Sequence, residues 1–165
     1  RTLMETARLL CPGSGILIDH IGAPLDPTLG QAARATQARC PHYRWLGALS
    51  HRETLQRIQR AHLLVHTSRL EGGAHVLMEA ICSGTPVLAS RIDGNLGLLG
   101  EDYEGLFEAG DAPGLVDLLL RCRVHTHQNP LMAHLSHQCA SRAHLFEPQA
   151  ERTALHQWVQ DLWTP

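Results

Sequence analysis

Five short apolar runs punctuate this chain, and the longer segments between them open with helix-start residues. No other feature narrows the possible folds as much. The runs are Ile16 to Gly22, His42 to Gly47, His62 to Ser68, Pro86 to Ser90 and Gly105 to Gly110. Each is short, apolar and bounded by turn residues, which predicts a strand. Asp26 precedes a proline at the first helical position, Pro27, and Asp111 opens the segment running to Arg121. Both read as N-caps, whose side chains satisfy amide groups left free at a helix start. Ser50 with Glu53 three residues later forms a capping box. Two further helices close the chain, the last over EPQAERTALHQWVQDLW. Strands apolar on both faces, alternating with helices, predict an α/β fold, a Rossmann-like parallel sheet with helices on both faces. In such sheets ligands sit beyond the carboxyl ends of the strands.

The 165 residues suffice for one domain with a real core. RTLMETARLL opens without methionine or a capping residue, already in helical rhythm with Leu3, Ala7 and Leu10 on one side. The expectation is a single domain, 1–165, truncated at its N-terminus and belonging to a longer protein.

Apolar residues make up 44% and charged residues 18% of the chain, with a formal net charge of −2. That composition fits a globular protein and offers no basic face for nucleic acid or an anionic membrane surface. No apolar run approaches a membrane span, and no signal-peptide pattern opens the chain. The five cysteines are odd in number, widely spaced and never in a C-x-x-C pair. Free thiols and a cytoplasmic location are therefore expected.

The least polar stretch, LEGGAHVLMEAICSGTPVLAS from Leu70 to Ser90, nevertheless holds Glu71 and Glu79. The helix around Glu79 reads as apolar on every face and hence as buried. An ionised carboxylate there is costly unless hydrogen-bonded. It would pair with an arginine such as Arg91, or hold a ligand with adjacent hydroxyls such as a ribose. Glu71 lies in the loop ahead of the helix, before Gly72 and Gly73, where backbone amides can cradle a phosphate. One nucleotide-sugar would account for both acids and the glycines, while a merely structural loop is the alternative.

The two acids flank seven residues, follow a strand ending His66-Thr67-Ser68, and are trailed by Ala80 and Gly84-Thr85-Pro86-Val87. This resembles the E-x7-E signature of retaining glycosyltransferases with the two-Rossmann-domain (GT-B) fold. Tyr43-Arg44-Trp45-Leu46-Gly47 resembles the strand and uridine-side loop of their donor-binding C-terminal domain, and Gly110-Asp111 a later turn. Two stretches, Arg69 to Ala74 and Asp93 to Tyr103, are similar to the branch formed by the selenosugar synthases of selenoneine biosynthesis. The common pattern has an aromatic residue where Gly73 stands and a Pro-Glu pair in the loop where Asn95-Leu96-Gly97 stands.

The resemblance implies a UDP-sugar donor, selenophosphate as the nucleophile, a selenosugar product and release of UDP. It implies that Glu79 holds the ribose hydroxyls, that Glu71, the catalytic candidate, holds the donor sugar, and that Gly72, Gly73 and Ala74 offer amides to the diphosphate. Arg69 is a candidate anion contact near selenophosphate, since a guanidinium suits a tetrahedral oxyanion. A solvated structural arginine is the alternative. The family's further Arg and Lys precede the first helix, and its acceptor side comes from an N-terminal domain. The fragment alone is therefore expected to be inactive. No cofactor is required.

Other signals count for less. Among the twelve histidines, His125, His127, His134 and His137 cluster without carboxylates or cysteines at metal-binding spacing. His75 could touch phosphate or sugar, or simply pack at the helix start. Leu155, Trp158, Val159 and Leu162 form an apolar stripe on the last helix, suited to the core or to the missing domain. A non-catalytic α/β binding module and an ordinary transferase to a hydroxyl acceptor remain as rival readings.

Overall fold

A computed structural model describes residues 1–123 and 129–163. The predicted alternation is present. In chain order the elements are α1 (Thr2–Leu9), β1 (Ile18–Ile21), α2 (Pro27–Arg39), β2 (Tyr43–Gly47), α3 (His51–Arg60), β3 (Leu64–His66) and α4 (His75–Cys82). They continue as β4 (Val87–Ser90), α5 (Asp93–Leu99), β5 (Leu106–Phe107), α6 (Ala112–Arg123), α7 (Pro130–Arg142) and α8 (Pro148–Trp163). Short 3-10 turns occupy Pro12–Ser14 and Ala143–Phe146.

The helix starts form for the local reasons read from the sequence. Asp26 accepts from the Leu29 amide at 2.9 Å, and Asp111 from the Gly114 amide at 2.9 Å. Ser50 and Glu53 make the reciprocal capping box. The unanticipated element is α5. Its sequence, DGNLGLL, carries two glycines and no side-chain cap, so local propensity argues against a helix. Tertiary contacts supply what the sequence lacks: Asn95 is fully buried, and Arg142 from the end of α7 donates to the carbonyls of Leu98 and Gly97.

All the strand pairing is parallel, but among the described residues the sheet is in two pieces, β1–β2 and β3–β4–β5. The core centres on β4, where Val87, Leu88 and Ala89 are each 0% exposed. Leu77, Ala80 and Ile81 of α4, Leu115 of α6 and Leu135 of α7 join them. Tyr103 ties this core together. Its hydroxyl donates to Val87 O at 2.7 Å and accepts from the Val87 amide at 3.2 Å. Thr85, just ahead of β4, donates to Ile58 O of α3 at 2.9 Å, and within the β1–β2 half His42 Nε2 donates to Ala7 O of α1 at 2.7 Å.

The stripe on α8 is not core. Leu155, Trp158, Val159 and Leu162 are all exposed, because the turn at Ala143–Phe146, and not the sheet, is what α8 packs against. All five cysteines are free thiols. Among the described residues no helix is long and apolar enough to cross a membrane.

Candidate functional site

The carboxyl end of β3 hands over to a loop, 67–74, and then to α4. Several polar side chains converge there. Ser68 Oγ donates to Glu71 Oε1 at 2.9 Å and lies 3.2 Å from His66 Nε2. Because its one proton goes to Glu71, the serine oxygen is left to accept from the imidazole. That places the proton of a neutral His66 on Nε2. His66 Nε2 is itself 3.9 Å from Glu71 Oε1. Behind this pair, Ser90 Oγ donates to Ser68 O, and Asn95 Nδ2 donates to Ser90 O at 2.8 Å. The acid at 71 thus rests on a chain of hydrogen bonds reaching from the ends of β3 and β4 into α5.

Burial holds His66 below the ordinary imidazole range, opposed by the Glu71 carboxylate and by Asn95. His66 Nδ1 and Asn95 Oδ1 are buried without a well-formed hydrogen bond to any partner. Asn95 lies close enough to favour a proton on the ring without completing a bond to it. A neutral, partly buried imidazole beside a carboxylate can orient that acid without neutralising it.

The backbone of the loop is fixed from the other side. A Cβ on Gly94 would stand 2.2 Å from Glu71 O and 3.2 Å from the carbonyl carbon of Gly72. Only a glycine lets the start of α5 approach the loop that closely. Gly72 and Gly73 behave oppositely: nothing lies within 4 Å of a Cβ at either position, so both leave open space above the loop. No side chain caps α4 at Ala74; the Leu77 amide turns back to Ala74 O at 2.9 Å, and the amides ahead of it are left for a ligand or solvent.

Glu79 differs from expectation. α4 is not buried all round: Leu77, Ala80 and Ile81 are buried, His75 and Cys82 are exposed, and the Glu79 side chain is 25% exposed. An acid with access to water needs no buried partner. Its neighbour is His51, at 3.4 Å from Nδ1 to Oε1, and not Arg91, which faces Glu108 at 3.8 Å. His51 is 75% exposed, so the contact is weak and leaves the carboxylate approachable.

Arg69 is exposed and reaches away from the loop to the turn after β5, where its guanidinium would lie 2.8 Å from a Cβ on Gly110. His75 is exposed at the start of α4. His66, Ser90, Asn95, Gly94 and His51 are neighbours of the two acids that sequence reasoning did not single out. The available signal for His66 and Ser90 was a polar residue at the carboxyl end of a parallel strand. Asn95 lay in the loop where the common family pattern has its Pro-Glu pair; for His51 there was no signal, since it arrives from another element. His125 and His127 lie outside the described residues. His134 faces Glu104 at 3.4 Å, and among the described residues no cluster of three or more His, Cys, Asp or Glu side chains could hold a metal.

Residues 33–121 match the family model of the glycosyl transferases group 1. No curated protein sequence matches the chain. Among solved structures, HepE of Anabaena, in complex with UDP and glucose, is 18% identical over 97% of this chain, with a TM-score of 0.75. A TarM variant from S. aureus, in complex with fondaparinux, alpha-GlcNAc-glycerol and UDP, is 18% identical over 99% of this chain, also at a TM-score of 0.75. WaaG, a glycosyltransferase involved in lipopolysaccharide biosynthesis, is 19% identical over 89%, at 0.66. The chain spans only 44%, 32% and 39% of these three proteins. At such identities the likeness is one of fold.

Proposed function

The chain belongs to the glycosyl transferases group 1 family, with the α/β fold of a GT-B transferase, and on that premise we propose that it is the donor domain of an enzyme using a UDP-sugar. The observation that carries this reading is the placing of Glu71 and Glu79 on either side of an uncapped helix start, at the carboxyl end of β3. Such a helix start attracts a diphosphate through its free amides and the helix dipole. The amides of Gly72, Gly73 and Ala74 take that part. Glu79, open to solvent, accepts hydrogen bonds from the ribose hydroxyls, and Glu71, held by Ser68, accepts from the hydroxyls of the sugar. HepE and TarM, whose structures contain UDP, support the choice of nucleotide.

In the reaction the bond from the anomeric carbon to the β-phosphate oxygen breaks, and its electron pair leaves with UDP. Donors aimed at that phosphate lower the barrier. The acceptor proposed is selenophosphate, whose selenium forms the new bond to the anomeric carbon. This finer step rests on the similarity of Arg69 to Ala74 and of Asp93 to Tyr103 to the selenosugar synthases. The open space above Gly72 and Gly73 also leaves room for a large, soft nucleophile beside Glu71. Arg69 holds the acceptor's oxyanion in this scheme, after swinging from its resting place against Gly110. The partner domain of the same protein supplies the acceptor side.

The test is to give the intact enzyme a UDP-sugar with either selenophosphate or hydroxyl acceptors and to weigh the products. A product carrying the selenium isotope pattern is expected. Transfer to hydroxyl acceptors alone removes selenophosphate from the scheme, and failure to bind any UDP-sugar removes the donor reading altogether.

A further inference from the structure

Two polar atoms behind Glu71 are buried without a well-formed bond, and they belong to neighbouring side chains: His66 Nδ1 and Asn95 Oδ1. Buried polar atoms are almost always paired, so each of these calls for a reason. The other polar atoms of both side chains are committed. Asn95 Nδ2 donates to Ser90 O at 2.8 Å and lies 3.2 Å from Ser90 Oγ. Ser90 O is a carbonyl and only accepts, so the amide cannot be turned over, and what Asn95 has left to offer is Oδ1, an acceptor. On the ring, Nε2 is the nitrogen beside Ser68 Oγ, at 3.2 Å, and Glu71 Oε1, at 3.9 Å. Nδ1 is the nitrogen left for Asn95.

A neutral ring has too few protons for this arrangement. With its proton on Nε2, the ring donates to Ser68 and Ser68 donates to Glu71, but Nδ1 and Asn95 Oδ1 then meet as two acceptors. With its proton on Nδ1, the ring donates to Asn95, but Nε2 then takes the Ser68 proton and Glu71 loses its donor. A second proton on the ring satisfies every atom at once. Nδ1–H then reaches Asn95 Oδ1, Nε2–H reaches Ser68 Oγ, and the Ser68 hydroxyl still donates to Glu71. Burial opposes that state in the free protein and holds the ring below the ordinary imidazole range, while Glu71 and then Asn95 act the other way.

Glu71 is the charged neighbour that matters. β4 and α4 pack on β3. β4 carries no titratable side chain, α4 carries His75, Glu79 and Cys82, the loop carries Arg69 beside Glu71, and the start of α5 carries Asp93. Of these only Glu71 acts on the ring. A diphosphate seated on the amides of residues 72–74 adds negative charge to the same loop, which favours the charged ring further.

We propose that His66 is a positioning residue that takes up one proton as the donor binds, closing its bond to Asn95 and fixing Glu71 through Ser68. The proton comes from solvent and goes back when UDP leaves, and no bond of the substrate is made or broken by it. This rests on the donor reading above and gives that site a pH dependence. The donor-bound ring holds its proton more tightly than the free one. Affinity is therefore full below the free ring's pKa and is lost as pH rises through that of the bound ring, by up to about tenfold per pH unit.

Calorimetric titration of the intact enzyme with UDP-glucose, and separately with UDP-N-acetylglucosamine, tests this in buffers of different ionisation enthalpy at about pH 7. Uptake of roughly one proton per donor bound is expected. Binding without uptake, or with release, overturns the proposal and leaves the donor reading standing, whereas failure of both donors to bind overturns the two together. His66→Gln keeps an N–H for Ser68 but takes no proton. Its uptake should vanish and its affinity should stay level from about pH 6 to about pH 8; uptake that persists in this variant overturns the proposal. Asn95→Leu removes the acceptor without touching the ring. It is expected to bind about tenfold more weakly at the acid end of that range and little differently at the alkaline end. An equal loss at both ends would make Asn95 merely structural and overturn the pairing.

Discussion

β1 and β4 are both four-residue parallel strands, yet β4 buries every residue and β1 buries only Ile18. Hydrophobicity alone does not explain the difference. β4 is flanked by β3 and β5 and packed against by α4 and α7, whereas β1 has a strand on one side only. What β1 lacks in packing it replaces with charge: Asp19 pairs with Arg44 at 2.6 Å and with Arg57 at 2.8 Å. The half built on β3, β4 and β5 is a dry core with a hydrogen-bonded site at its rim. The half built on β1 and β2 is held by α1, α2 and solvent-exposed ion pairs. The contrast teaches that a parallel strand owes its burial to neighbours on all four sides.

The largest effect that would break this comparison is on β4. Leu88→Ala is expected to cost about 2–5 kcal/mol, read from the midpoint of urea unfolding, because a fully buried leucine leaves a cavity. A loss below about 1 kcal/mol would mean that the core does not centre there. Next comes Gly94→Ala. The new methyl meets Glu71 O at 2.2 Å, so the loop or α5 must move, at about 1–3 kcal/mol for overpacking. Weaker UDP-sugar binding should accompany it if the contact fixes Glu71. Unchanged affinity would show that it does not. The smallest effect is expected in the other half. Asp19→Ala removes ion pairs whose arginines are 57% and 46% exposed and should cost no more than about 1 kcal/mol. The salt dependence of unfolding should also flatten. A cost well above that would put β1 on the same footing as β4.

Much of the fold was legible because its signals are local. Asp26, Ser50 with Glu53, and Asp111 each bond to an amide within three residues, so their role follows from sequence spacing. α5 was not legible. Its glycines oppose a helix, and what holds it, Arg142 at the end of α7 and the Ser90 carbonyl that accepts from buried Asn95, comes from elsewhere in the fold. At the site, Glu71 and its glycines could be found from composition, as acids in an apolar stretch. The environment of Glu79 was misread. An apolar heptad read as burial on every side, but the carboxylate lies on the face that α4 turns to His51 and solvent.

The sequence by itself determined the alternation of strands and helices, the capped helix starts, and the two acids ahead of and within α4. Those depend on hydrophobic period and on bonds between near neighbours in the chain. Only the tertiary structure decided that His66, Ser90 and Asn95 stand behind Glu71, that His51 faces Glu79, and that the sheet opens between β1 and β3. Each of these is a meeting of residues far apart in sequence, fixed by how layers pack and not by any local preference.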